Sequence, residues 1–334
     1  MVTIKEVAGE AGVSVATVSR VISGSGKVSS KKKKQVLQAI EILNYKPNAV
    51  ARNLRTAKTK MVLVAVPNIN NPFFSEVLTG IQKTALQQGY HVLLFDTDHD
   101  FSREAKFLEM LEQKQVDGLI LCTAQVTHET LRKVEKSHPI VMACEYLDGE
   151  DFSTVLIDNR NSARKVIHHL IEAGYRRIAH ITGPLNTVLG IDRLRGYKEA
   201  LAEHNLLLSE WYIREGDFSF ESGYQLMTQF LMLANPPDAI FAGNDEMALG
   251  AIKAIQSKNL SVPEDIGVVG FDNIKMASIF KPALTTIAQP AYQIGTTAME
   301  VLVEKMEGSI PEQRHFIIED RLIVRESSVR YEIK

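Results

Sequence analysis

Cysteine is almost missing from this chain: it has two in 334 residues, Cys122 and Cys144. A disulfide framework or a thiolate-held metal needs more ligands than that. Each cysteine sits in an apolar run that predicts a strand, so buried free thiols are expected. The apolar runs themselves are short. None approaches the roughly 18 residues of a membrane span, and the opening Met1-Val-Thr-Ile-Lys-Glu lacks the basic-then-apolar layout of a secretory leader. A cytoplasmic protein is the expectation. Patterns of catalysis are also lacking. No Gly-x-Gly-x-x-Gly follows an expected strand, there is no phosphate loop, and Gly24-Ser-Gly26 has no nucleophile-elbow context. Asp96-x-Asp98-x-Asp100 begins like a calcium loop, but Phe101 and Phe107 stand where that loop needs Gly and Glu. The nine histidines show no ligand spacing, and the neighbours His168 and His169 face apart on a helix. Neither an enzyme nor a cofactor or metal site is expected.

Positive charge, by contrast, is concentrated. The net charge is −2, yet residues 1–60 hold twelve Lys and Arg against the three acids Glu6, Glu10 and Glu41. That segment is therefore +9 and the remainder −11, the electrostatic footprint of a phosphate-binding module. It is not a solvated tail, because its apolar residues are regularly spaced. Ile4, Val7, Ala8 and Ala11 form one helical face, and Thr3 with Glu6 forms a capping box at its start. Gly12 should end this helix. Ser14 should cap a second over Val15–Ile22, with Val18, Val21 and Ile22 inward. Two short helices joined by a tight turn predict a helix-turn-helix. A third helix, from about Lys31 to Leu43, should close a small core with Val36, Leu37, Ile40 and Leu43. Its Lys31–Lys34 run opposes the helix dipole, a placement that makes sense beside a phosphate backbone.

The runs Thr3-Ile-Lys-Glu-Val-Ala8, Ala11-Gly-Val-Ser-Val-Ala-Thr-Val-Ser-Arg-Val-Ile-Ser-Gly24 and Asn44-Tyr-Lys-Pro-Asn-Ala-Val-Ala-Arg-Asn-Leu54 resemble the DNA-reading segment of the LacI/GalR family of transcriptional regulators. The resemblance implies Val15, Ala16 and Arg20 as base readers. Thr3 joins the DNA-facing set, and Ser14, Thr17 and Ser19 bond phosphates. Val15 and Ala16 could meet thymine methyls, and Arg20 could pair bidentately with guanine. After Pro47, the short stretch Asn48–Thr56 is too short to hold as an isolated helix. The family uses it as a hinge helix that orders on DNA, which implies Asn48, Arg52 and Arg55 along the minor groove. Leu54 would be the apolar wedge at the central base step.

From Met61 onward, short β-rich runs alternate with helical stretches. The runs are 61–66, 91–95, 117–121, 139–143, 177–181, 238–241 and 266–271. Without period-2 alternation they predict parallel strands covered on both faces. Gly89-Tyr90 is echoed by Gly174-Tyr175, and Asp117-Gly-Leu-Ile by Asp238-Ala-Ile-Phe, so two similar lobes with a cleft are expected. Ligands in such folds bind at the carboxyl ends of the strands. Those ends carry Phe73-Phe74, Gly243-Asn-Asp-Glu246 and Gly270-Phe-Asp-Asn273, and Asp192-Arg-Leu-Arg-Gly-Tyr197 adds Arg193 at a helix start. Each of these is ordinary alone; together they predict a binding cleft.

The family resemblance continues to about residue 328 through Asn244–Ala251, Gly270–Asn273 and Leu284–Pro290. It implies an N-terminal all-α helix-turn-helix domain with a hinge helix, then an α/β two-lobed domain with parallel sheets, like the periplasmic binding proteins. The boundaries are 1–46 for the reader, 47–60 for the hinge and 61–334 for the effector and dimerisation domain. Within the last, one lobe takes about 61–160 and 291–320, the other about 161–290 and 321–334. Effector contacts implied are Phe73, Phe74, Arg193, Phe218, Asn244 and Asp272. The likeness is greatest to the nucleoside- and purine-responsive members, in Asn71–Glu76, Gly216–Phe220 and Ala288–Gly295. However, Asn186-Thr-Val-Leu-Gly190 lacks the arginine and threonine those members use for a purine base, which favours a nucleoside or sugar. The implied protein is a homodimeric repressor on a near-palindromic double-stranded operator, tuned by that effector and without a cofactor. The alternatives are a catabolite-control-type regulator answering to a phosphocarrier protein, and a periplasmic sugar-binding protein, which would carry no basic reader.

Overall fold

In the computed structural model the described residues are 2–24, 26–46, 53, 58–98, 101–123, 128–147, 152–309 and 314–330. They fall into two compact units, Met1–Thr59 and Lys60–Lys334. The first unit contains α1 (Ile4–Glu10), α2 (Val15–Ser23) and α3 (Ser30–Ile42). Thr3 caps α1 through the expected capping box, and its hydroxyl and amide both donate to Glu6 at 2.8 and 2.7 Å. Helix α1 stops at Ala11, and Gly12, at φ 61°, turns the chain toward α2. Ser14 caps α2 by accepting the Thr17 amide at 3.2 Å. Val7, Ala8, Ala11, Val18, Val36 and Ala39 make the core, with Val21, Ile22, Ile40 and Leu43 packed against it. Leu37 departs from expectation: it is 51% exposed. Val36, Ala39, Ile40 and Leu43 share one face at i, i+3, i+4 and i+7, and Leu37 lies a further 100° round the helix. Ala39 takes the position assigned to it.

The second unit is two sheets built on one plan. The first holds β1 (Met61–Val66), β2 (His91–Asp96), β3 (Gly118–Leu121), β4 (Ile140–Ala143), β5 (Thr154–Leu156) and β11 (His315–Ile317), in the order β11-β5-β4-β3-β1-β2. The second holds β6 (Ile178–Thr182), β7 (Ile213–Glu215), β8 (Ala239–Ala242), β9 (Gly267–Asp272), β10 (Thr285–Ala288) and β12 (Arg321–Ile323), in the order β12-β10-β9-β8-β6-β7. The pairings are parallel except β10 with β12. Successive residues of the first sheet divide between two cores. Val62, Val64 and Ile120 face one, while Leu63, Ala65 and Leu119 face the other. Both faces are covered, which is why these strands lack polar alternation.

The internal repeat is visible atom by atom. Gly89 and Gly174 adopt left-handed turns, after which Tyr90 and Tyr175 donate back to Ala85 and Leu170. Asp117 accepts the Lys60 amide just before β1, and Asp238 accepts the Arg177 amide just before β6. Helix α4 (Pro72–Gln87) packs on α12 (Ala291–Met306) over the first sheet, and α7 (Asn159–Glu172) packs on α8 (Val188–Glu203) over the second. The remaining helices are α5 (Phe101–Glu112), α6 (His128–Glu135), α9 (Phe220–Leu231), α10 (Asp245–Ser257) and α11 (Lys275–Ile279). The chain passes between the sheets after β5, after β10 and after β11. No helix among the described residues is long and apolar enough to cross a membrane.

A candidate nucleic-acid interface and a candidate ligand cleft

In the first unit α2 turns its buried side to the core through Val18 and leaves Val15, Ala16 and Arg20 exposed. Val15–Ser19 and Ala16–Arg20 are i, i+4 pairs, so these four share one helix face. Ser14 and Thr17 stand at its start, their hydroxyls 3.0 Å apart. Lys31 to Lys34 are all exposed on the first turn of α3, which carries no acid. Among the expected DNA-facing residues, Thr3 is spent locally on its cap with Glu6. Asn48, Arg52, Leu54 and Arg55, with the hinge helix, lie outside the described residues.

In the second unit a cavity of about 260 Å³ opens between the sheets at the carboxyl ends of their strands. Phe73, Phe74, Arg193, Phe218, Asn244 and Asp272 all line it. Asn71 caps α4 by accepting the Phe73 amide at 3.0 Å, so the Phe73–Phe74 pair opens that helix. The two rings meet edge to face at 5.2 Å, both about 5% exposed. Across the cavity, Arg193 is buried on α8. Its Nε donates to Asn159 Oδ1 at 3.0 Å, Nη1 donates to the Gly243 carbonyl, and the guanidinium lies 3.7 Å from the centre of the Phe271 ring. Nη2 has no hydrogen bond among the described residues. Burial lowers the arginine pKa from its ordinary value, and the Asp272 charge opposes the shift.

Asp272 ends β9. Its Oδ1 accepts from Gln289 at 2.7 Å, and Oδ2 has no hydrogen bond among the described residues. Burial pushes its pKa up to about 6 against the pull of Arg193 and Gln289. Cys144, Phe218 and Asp272, all on the cavity wall, have φ of 71°, 68° and 113°. Left-handed backbone at non-glycine residues costs of order 1–3 kcal/mol each and gathers where a site demands it. The neighbouring hydrogen bonds hold those conformations. Asp245, wholly buried, accepts the Ile274 amide at 2.8 Å and the Thr286 hydroxyl at 2.6 Å, fixing the loop after Asp272. Asn244 caps α10 by accepting the Met247 amide, and its Nδ2 donates to the Phe218 carbonyl at 2.9 Å. The Phe218 ring lies so close to Gly183 that a Cβ there would collide with it.

Of the two carboxamide–carboxylate runs, then, Asn244 and Glu246 reach the cavity from the first and Asp272 from the second, while Asp245 supports from beneath. Sequence reasoning missed Glu145, Thr123, Gln289 and Cys144 on the wall. Thr123 and Cys144 lie within two residues of the ends of β3 and β4, so the strand-end rule could have found them. Both cysteines are free and buried as expected, and the Cys122 thiol together with burial holds Cys144 well above the ordinary thiol range.

Residues 3–48 match the model of bacterial regulatory proteins of the lacI family, and residues 59–326 match that of periplasmic binding proteins and the sugar-binding domain of the LacI family. The chain belongs to the LacI family of bacterial transcriptional regulators. It is 38% identical to the HTH-type transcriptional repressor CytR of Escherichia coli (strain K12), over 98% of this chain and 96% of the relative. It is also 38% identical to catabolite control protein A of Priestia megaterium, over 98% and 99%. Among solved structures, the lac repressor dimer bound to operator and the anti-inducer ONPF superposes with a TM-score of 0.89 at 30% identity, covering 98% of this chain and 99% of that one. Both units of the expected fold are present, and the family is one of DNA-binding regulators rather than enzymes.

Proposed function

We propose that this protein is a cytoplasmic, homodimeric repressor whose affinity for a near-palindromic operator is set by a nucleoside or sugar bound between its two lobes. Residues 1–46 act as the reader, 47–60 as the hinge and 61–334 as the effector and dimerisation domain. One lobe takes about 61–160 and 291–320, and the other about 161–290 and 321–334. In the reader, Val15, Ala16 and Arg20 meet base edges, while Ser14, Thr17, Ser19 and the lysines of α3 meet phosphates. In the hinge, Leu54 wedges the central base step, with Asn48, Arg52 and Arg55 beside it. In the cleft, Phe73, Phe74 and Phe218 provide ring surfaces, and Arg193 and Asp272 provide a donor and an acceptor.

The observation that carries the reading is the convergence of six residues from both lobes on one cavity. A cavity of about 260 Å³ lined from both sheets suits a small molecule. The test is a thermal-shift screen of nucleosides and sugars, since a ligand that binds only the folded state raises its melting point. Operator titration with and without each hit then follows. Arg193→Ala and Asp272→Ala should abolish the ligand response while leaving unliganded operator affinity within a few-fold. Retention of a full response in both variants would refute the cleft as the effector site.

A further inference from the structure

The charge of the cavity wall narrows the ligand class, on the reading of the cleft as the effector site. Among the described residues, five carboxylates line it (Glu145, Asp217, Glu221, Glu246 and Asp272) against the one guanidinium of Arg193, with no lysine or histidine. Four helix N-termini also converge there: those of α4, α8, α9 and α10, capped by Asn71, Thr187, Ser219 and Asn244. A helix start carries about half a positive charge, so four contribute roughly +2. Even with Glu145 left out, the four remaining acids against Arg193 sum to −3, which leaves the cavity negative. Each cap side chain already accepts a hydrogen bond from an amide of its first turn, leaving those amides less free for an anion. Arg193 has one uncommitted nitrogen, too few for the forked grip that holds phosphate tightly. Asp272, more than nine-tenths buried, keeps an oxygen without a protein partner.

We infer that the ligand carries no phosphate and presents a protonated nitrogen or closely spaced hydrogen-bond donors to Glu221, Glu246 and Asp272. Burial, and after it the charge of Glu221, raise the Glu246 pKa.

Matched pairs decide the matter: cytidine against cytidine 5′-monophosphate, adenosine against its 5′-monophosphate, and glucosamine against glucosamine 6-phosphate, with glucose as the uncharged sugar. Each is titrated calorimetrically into the full-length protein. The unphosphorylated member should bind at least about tenfold more tightly in any pair that binds. The nucleoside and amino-sugar arms tell the two sources of the donor group apart. Glu221→Gln with Glu246→Gln should shrink that gap; Glu221→Gln alone, at an exposed position, serves if the double variant loses operator binding. A phosphorylated member that binds as tightly as its partner overturns the inference and leaves the cleft reading standing. So does a gap unchanged by the substitutions. If only a phosphorylated member binds, the inference falls and the cleft reading stands; if none of the seven compounds binds, the nucleoside-or-sugar reading of the cleft falls and the inference with it.

Discussion

Arg20 is the exposed cation on the α2 face that holds Val15, Ala16 and Ser19, and its guanidinium fork can address two acceptors of one guanine. Arg20→Ala should therefore cost about 1–3 kcal/mol of operator affinity and relax preference at one base pair per half-site. Fluorescence anisotropy on a set of single-base operator variants reads both. Lys33 and Lys34, exposed on α3, should behave differently: removing both lowers affinity alike for every sequence. Asp272 makes a prediction of another kind. Burial raises its pKa to about 6, with Arg193, Gln289 and Glu246 the groups that act on it. The folded chain thus holds this proton more tightly than the unfolded chain, whose carboxyl titrates near 3.9. The group favours folding at low pH, and its contribution is lost as pH rises through about 6. Asp272→Asn should accordingly gain stability relative to the parent between pH 4.5 and pH 7. Urea unfolding at the two values measures it, and a pH-independent difference would contradict the assignment.

Helix α4 crosses α12 so closely that a Cβ on Gly80 would collide with the Tyr292 carbonyl. Backbone cannot yield as a flexible side chain can, so Gly80→Ala should destabilise the second unit by about 1–3 kcal/mol, measured by chemical unfolding. Such a crossing is invisible in the sequence, where Gly80 is one small residue in a helical run. The long central strands were legible, because both-face burial writes a continuous apolar run into 61–66 or 266–271. The three-residue strands Thr154–Leu156, Ile213–Glu215, His315–Ile317 and Arg321–Ile323 were not. They exist by pairing with a distant neighbour, and three residues carry no period. At the site, Phe73, Asn244 and Asp272 could be located because they follow recognisable strands. Glu145 and Gln289 also lie just past strand ends, those of β4 and β10. Gln289 escapes notice because 285–288 is a short run not expected as a strand, and Glu145 because a strand end alone does not say which of the next few residues turns inward. Leu37 was misplaced by one residue of helical phase, which short amphipathic runs resolve poorly.

The whole molecule couples two binding events, and coupling obeys a constraint that requires no knowledge of the path. If ligand changes operator affinity by some factor, operator must change ligand affinity by the same factor. On the proposal that residues 47–60 act as the hinge, the lever follows from general helix physics: a helix too short to persist alone can be tipped by a small bias at its start. Leu54→Ala should then weaken specific binding while sparing nonspecific binding, because a wedge gains only where the central step can deform. Salt provides an independent control, since each phosphate neutralised adds about −0.9 to the slope of log K against log salt. Operator affinity should be titrated across salt with and without the effector, and effector affinity with and without operator, on a dimer verified by sedimentation. Equal factors in the two directions are required of one linked equilibrium. If the effector shifts operator affinity tenfold while operator leaves effector affinity unchanged, the molecule that shifts DNA binding is not acting through the cleft between the lobes.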